Sequence, residues 1–187
     1  KNIYGYPLFN KAIGVEISNL GIINSYVIGS GILFGSVFDG SCELSQESSI
    51  SDSYVKDNVV KNIVGQSVGA FAASTECGLK INNTYSVNNI ISNFETEGYA
   101  SGFIGLNAEK MTISNSFTIG NIISASVYGG RVSDFVYSHH VATLTVINSY
   151  SSSDKDTSWF ATEEASNTLG SAFVLTNGKY PTLVDNP

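Results

Sequence analysis

Apolar residues in this chain fall in short runs of β-branched and aromatic residues, separated by Asn, Ser and Gly. No segment holds the i, i+3, i+4, i+7 spacing over a helical length. Three runs nearly repeat one another: ISDSYVKDN at Ile50–Asn58, INNTYSVNN at Ile81–Asn89 and ISNSFTIGN at Ile113–Asn121. Taking Ile17, Ile50, Ile81, Ile113 and Val146 as anchors gives spacings of 33, 31, 32 and 33 residues. Two residues on stand Asn19, Asp52, Asn83, Asn115 and Asn148. The next place holds Leu20, Ser53, Thr84, Ser116 and Ser149, and the one after it Gly21, Tyr54, Tyr85, Phe117 and Tyr150. Asn58, Asn89 and Asn121 then precede the pairs Val59-Val60, Ile90-Ile91 and Ile122-Ile123. Later in each unit a small residue precedes a large apolar one, as in Ala70-Phe71, Gly102-Phe103 and Ala172-Phe173; Asp134-Phe135 departs from this.

A fixed period near 32 residues marks a repeat architecture, and each unit has room for about three short strands with their turns. The pattern therefore predicts an all-β, single-domain β-solenoid (β-helix) of about five coils. At about 4.8 Å per coil it would form a rod on the order of 24 Å long, plus caps. Equivalent residues of successive coils then stack as ladders, which explains why the words repeat. Strand alternation would place Ile81, Asn83 and Tyr85 on one face, with the asparagines buried and hydrogen-bonded along their row, Asn83 serving as donor to Asp52. The alternative puts these asparagines at corners in the left-handed conformation that Asn tolerates. The single domain, residues 1–187, divides into an N-terminal cap at 1–11, repeat coils at 12–150, and an irregular last coil with C-terminal cap at 151–187, where the period is lost and Trp159 sits. Caps are expected because open solenoid ends invite self-association.

Composition sharpens this picture. With 42% hydrophobic but only 13% charged residues, the 187-residue chain has material for a core and too little charge for helical outer faces. A net charge of −7 without a basic cluster argues against nucleic-acid partners and against anionic membrane surfaces. Apolar runs such as GILFGSVF, Gly31–Phe38, are too short for membrane insertion. The abrupt ends lead us to expect a segment of a longer chain, with any signal peptide outside it.

The I-x-N-S-[YF] words, the SGFIG element at Ser101–Gly105 and the closing NGKYPTL at Asn177–Leu183 resemble the GLUG-type repeats, over roughly Pro7 to Leu183. The glycine-rich element is reduced to GAFAA at Gly69–Ala73 and SDFVY at Ser133–Tyr137. The resemblance implies a bacterial surface or secreted protein, either adhesin-like or a non-catalytic part of an immunoglobulin A peptidase.

Candidate chemistry is sparse. His139 and His140 are adjacent and point to opposite sides of any strand, no CxxC is present, and neither GxSxG nor a Walker loop occurs. Arg131 in YGGR, Tyr128–Arg131, reads as a stray cation at a turn. We expect no catalytic residue, no metal ligand and no cofactor. Cys42 and Cys77 are either two free buried thiols or one disulfide stapling neighbouring coils, which would require an oxidising compartment. The expectation is a non-enzymatic extracellular module of a larger surface protein, a stalk or an adhesin region. Its ligand would be a host glycan or surface protein, bound on the irregular loops Asp39–Gln46 and Arg131–His140. Two alternatives stay open: a substrate-positioning domain of a secreted protease, and a β-helix carbohydrate-active enzyme using clustered carboxylates.

Overall fold

A computed structural model describes residues 3–36, 47–63, 65–139, 142–175 and 180–186. The chain winds as a β-solenoid of stacked parallel rows. The first row is formed by β1 (Tyr4–Gly5), β2 (Phe9–Lys11), β3 (Glu16–Ser18) and β4 (Gly21–Ile23), and the second by β5 (Tyr26–Ile28), β6 (Phe34–Ser36) and β7 (Ser48–Lys56). The third contains β8 (Val59–Asn62), β9 (Ser67–Gly69), β10 (Ala72–Thr75) and β11 (Leu79–Val87). The fourth contains β12 (Ile90–Asn93), β13 (Tyr99–Ser101), β14 (Ile104–Asn107), β15 (Lys110–Ser114) and β16 (Phe117–Ile119). In the fifth row β17 (Ile122–Ser124), β18 (Arg131–Ser133), β19 (Val136–Ser138), β20 (Thr143–Ile147) and β21 (Tyr150–Ser151) follow.

Four sheets run along the rod: β1-β5-β8-β12-β17; β9-β13-β18; β2-β6-β10-β14-β19; and a broad one from β3 and β4 through β7, β11, β15 and β16 to β20 and β21. The solenoid has about four turns, with a period of about 32 residues, where the sequence suggested about five. The first row explains the difference: it has no strand on the narrow β9-β13-β18 side, which the second row reaches only through a bridge from Gly31 to Gly69. Residues 4–11, expected as a cap, supply the outermost strands of two sheets.

Ile17, Ile50, Ile81, Ile113 and Val146 lie in one register. Ile50, Ile81 and Ile113 belong to a continuous core together with Val60, Ile91, Leu79, Met111, Phe71 and Phe103. The shared face expected for Ile81, Asn83 and Tyr85 is not observed. Asn19, Asp52, Asn83, Asn115 and Asn148 all have left-handed backbones, with φ of 46–55°. One left-handed residue breaks the strand's alternation, so after the inward Ile the next inward places are the Ser/Thr three residues on and the residue five on, Ile22, Val55 or Ser86. Tyr54, Tyr85, Phe117 and Tyr150 consequently turn to the opposite face of the sheet. Asn and Asp reach this conformation at lower cost than most residues.

The outward aromatic row organises the C-terminal segment. The described residues between Trp159 and Leu183, among them a single-turn 3₁₀ helix at Trp159–Ala161, α1 (Glu163–Leu169) and the antiparallel pair β22 (Phe173–Leu175) and β23 (Pro181–Leu183), pack on the side of the rod. Phe160, Leu169, Phe173 and Leu183 close a second core over Tyr85, Val87, Phe117 and Ile119. The helix lies outside the sequence expectation because seven residues are too few to show periodicity. Its local signal is Thr162, whose hydroxyl accepts the Ala165 N–H at 3.2 Å, followed by Glu163 and Glu164 in the first turn.

Candidate binding surface

The chain's amide and hydroxyl side chains are largely engaged in holding rows together. At the corner after the broad sheet, Asn24, Asp57, Asn88 and Gly120 again have positive φ, and the residues that follow point inward. Asn58 Nδ2 donates to Asn89 Oδ1 at 2.9 Å and Asn89 Nδ2 to Asn121 Oδ1 at 3.0 Å, while each oxygen also accepts the backbone N–H of the row before. Ser53, Ser116 and Ser149 repeat the arrangement, their hydroxyls accepting the N–H of Leu20, Thr84 and Ser116. In the half-exposed corner row Asn83 Nδ2 donates to Asp52 Oδ1 at 2.9 Å, Asn115 Nδ2 to Asn83 Oδ1 at 3.4 Å and Asn148 Nδ2 to Asn115 Oδ1 at 3.4 Å. Buried amides without such partners would cost about 1–3 kcal/mol each.

On an outer surface that also carries exposed acids such as Glu97 and Glu109, aromatic rings gather beside cations at two places. Tyr99 of β13 and Tyr137 of β19 stack with centroids 4.4 Å apart and planes 22° from parallel. Arg131, one row above Tyr99 in register, lies with its guanidinium 5.4 Å from the Tyr137 centroid and donates from Nη1 to the Tyr137 hydroxyl, a bond that raises the guanidinium pKa further. Arg131 is therefore not a stray turn cation: it opens a strand and completes a cluster, with Tyr128 exposed nearby in sequence. Around the rod, Tyr4 stacks on Tyr26 at 5.8 Å and Lys61 Nζ lies 5.7 Å over the Tyr26 ring. Beside this pair a shallow groove is lined by Tyr6, Pro7, Ile28 and Ile63, with Asn10 and Ser30 as polar groups. Tyr6 is 80% exposed and Ile63 57%.

Arg131 and Tyr137 fall within Arg131–His140, expected as an irregular binding loop, but that stretch carries β18 and β19 and is part of the coil; Tyr99 and Tyr26 escaped the sequence reading because they do not recur in every unit. Tyr99 has Ser67 before it and Arg131 after it in its row, and Tyr26 is followed by Val59. The contact of Tyr137 with Tyr99 joins two different sheets. Elsewhere Lys56 Nζ lies 5.6 Å over the Tyr180 ring, and its hydrogen bond to that tyrosine is the main cause of its raised pKa.

Among the described residues no group of three or more His, Cys, Asp or Glu is arranged to hold a metal ion. No helix among them is long and apolar enough to cross a membrane. Cys77 is buried and disulfide-bonded. Cys42, the loop Asp39–Gln46 and His140 lie outside the described residues. The fold and surface thus define a β-solenoid whose polar side chains serve its rows and whose aromatic side chains lie in part outside. No protein-family model, curated protein or solved structure matches the chain.

Proposed function

We propose that this solenoid is a non-enzymatic binding module of a larger bacterial surface or secreted protein, a GLUG-type repeat region that recognises a glycan or surface protein through its outer aromatic clusters. The observation that carries this reading is the Tyr99–Tyr137–Arg131 cluster. Stacked rings with an adjacent guanidinium offer an apolar face and directional donors together, the combination that binds the C–H face and hydroxyls of a sugar ring or an aromatic and acidic protein surface. The disulfide at Cys77 supports an oxidising compartment outside the cytosol.

The test is an array of glycans and host-matrix proteins probed with the labelled monomer, in calcium and in chelator. Saturable binding to one ligand class, lost in a Tyr99→Ala/Tyr137→Ala double variant that keeps its fold, is the expected result. A blank array in both conditions overturns the binding role and leaves a spacer.

A further inference from the structure

The first three rows take paths of different length between the sheet that begins with β1 and the sheet that begins with β2. The first row crosses in residues 6–8, the second in 29–33 and the third in 63–71, and of these only the third places a strand, β9, on the narrow side. The third row therefore projects past the two before it. The step forms a groove along the flank of the rod, between rows and not on an end. Gly29 and Ser30 line it at the second row, where a Cβ on Gly29 would stand 3.2 Å from Pro7 Cδ. Two adjoining hollows of about 360 and 320 Å³ share Asn10 and Ser30 and together reach the size of ordinary ligand pockets. One is apolar, set between Tyr6, Pro7, Ile28 and Ile63; the other is polar, set between Gln66, Ser67 and Ser74.

No charged side chain lines either hollow. The side chains of Asn10, Gln66, Ser67 and Ser74 make no hydrogen bond with other described residues, whereas the amides inside the rod are bonded row to row. They are neutral donors and acceptors left open beside an apolar platform, and a charged ligand group brought there would meet no partner. An extended peptide added to β9 would be neutral too, but the backbone around that strand is largely used. The Gln66 carbonyl accepts from Tyr99 N–H, the Gly65 carbonyl from Asn62 Nδ2, and Gly69 N–H donates to the Ser30 carbonyl. Ser67 alone is left to pair, which is too little for an added strand.

We infer that the groove binds a neutral oligosaccharide, one ring laying its C–H face on Tyr6 and Ile63 and the next turning its hydroxyls to Asn10, Gln66 and Ser74. Tyr6 supplies the aromatic face for such a ring. An amide carries donor and acceptor together and so serves two adjacent hydroxyls at once. Asn10 and Gln66 are exposed to solvent, and each bond to sugar replaces one to water, so the apolar contact drives binding and the amides select the ligand. The inference rests on reading the chain as a glycan-binding module, but its site lies in the first three rows, apart from Tyr99, Arg131 and Tyr137 in the fourth and fifth.

The experiment is chemical-shift mapping by nitrogen–proton NMR on the 187-residue chain. It is titrated separately with cellotetraose, chitotetraose, maltotetraose and mannotetraose, with tetragalacturonate as the anionic counterpart and an uncharged Ala/Ser/Tyr peptide as the strand counterpart. At least one neutral tetrasaccharide is expected to give saturable shifts at the amides of Gly29, Ser30, Gly65, Gln66 and Ser67. Tyr6→Ala and Gln66→Ala, which truncate exposed side chains and so keep the fold, each weaken that binding by about three- to tenfold. Groove shifts that appear only with tetragalacturonate or the peptide overturn the inference, as does binding that both variants leave unchanged. Shifts confined to the amides around Tyr99 and Tyr137 overturn it while leaving the proposed function standing. A blank at both places with every neutral tetrasaccharide overturns this inference, and the array described above then decides the broader reading.

Discussion

Removing one buried amide should cost far more than removing one corner amide, although the sequence writes both as Asn in a repeated word. Asn89 is fully buried and its side chain makes five contacts. Its oxygen accepts from Asn58 N–H at 3.0 Å and Asn58 Nδ2 at 2.9 Å, and its two N–H groups are shared among three acceptors, the Val55 carbonyl and Ser86 Oγ at 3.1 Å each and Asn121 Oδ1 at 3.0 Å. In Asn89→Ala most of these partners keep another contact: Asn58 Nδ2 still reaches the Ile22 carbonyl and Asn121 Oδ1 still accepts the residue-89 N–H. The Asn58 backbone N–H does not. That one orphaned donor costs about 1–3 kcal/mol, and the lost side-chain bonds bring the total to about 2–5 kcal/mol. Asn83 is half-exposed with φ of 50°, so Asn83→Ala is charged mainly with the left-handed backbone, about 1 kcal/mol, and Asn83→Gly restores part of it. Urea unfolding followed by far-UV circular dichroism, with m unchanged, measures all three. If Asn89→Ala were no more destabilising than Asn83→Ala, the buried amide row would not be holding the coils together.

Further outcomes follow from the second core, the close-packed glycines and the cysteine. Burial pushes the Tyr85 phenol up, with smaller contributions from Tyr54 and Tyr180. Its contribution to stability is fully present below the unfolded tyrosine pKa of about 10 and is lost as pH rises above it, by up to about 1.4 kcal/mol per pH unit; Tyr85→Phe should flatten that slope in denaturation measured from pH 9 to 11. Phe117→Ala, at the contact with Phe160 and Phe173, should cost about 3–5 kcal/mol and expose residues 159–183 to limited proteolysis before the repeat coils. A Cβ on Gly105 would lie 2.5 Å from both the Ala73 carbonyl oxygen and the Val68 nitrogen, so Gly105→Ala should destabilise by about 2 kcal/mol or more, read in the same urea assay. Thiol titration of the unreduced protein in denaturant should leave Cys77 unreactive, and reduction should cost about 2–4 kcal/mol.

The winding was legible in the sequence because stacking forces equivalent places to solve the same problem. Ile50, Ile81 and Ile113 face the same interior, and the writing repeats with them. The left-handed corner at Asp52, Asn83 and Asn115 was one of two readings the sequence allowed and is the one observed; its consequence, the phase break that turns the aromatic row to the other face, was not legible in a strand read as strictly alternating. The docking of Phe160, Leu169, Phe173 and Leu183 against that row was hidden for the same reason. The Tyr99–Tyr137–Arg131 cluster was legible only in part: Arg131–His140 was marked for binding, but its pairing with Tyr99 was not. Its members come from different sheets and phases, and a repeat alignment discards what does not recur.

Distances between spin labels along one outward row test the central claim of stacked, in-register coils most directly. Labels introduced as unnatural amino acids at Thr145 and Lys80, two rows apart, and at Thr145 and Glu16, four rows apart, should report backbone separations of about 10 and 19 Å after correction for the label arms. Linear growth with row number is the predicted result. Separations that do not increase in steps of about 4.8 Å per row would contradict the solenoid itself.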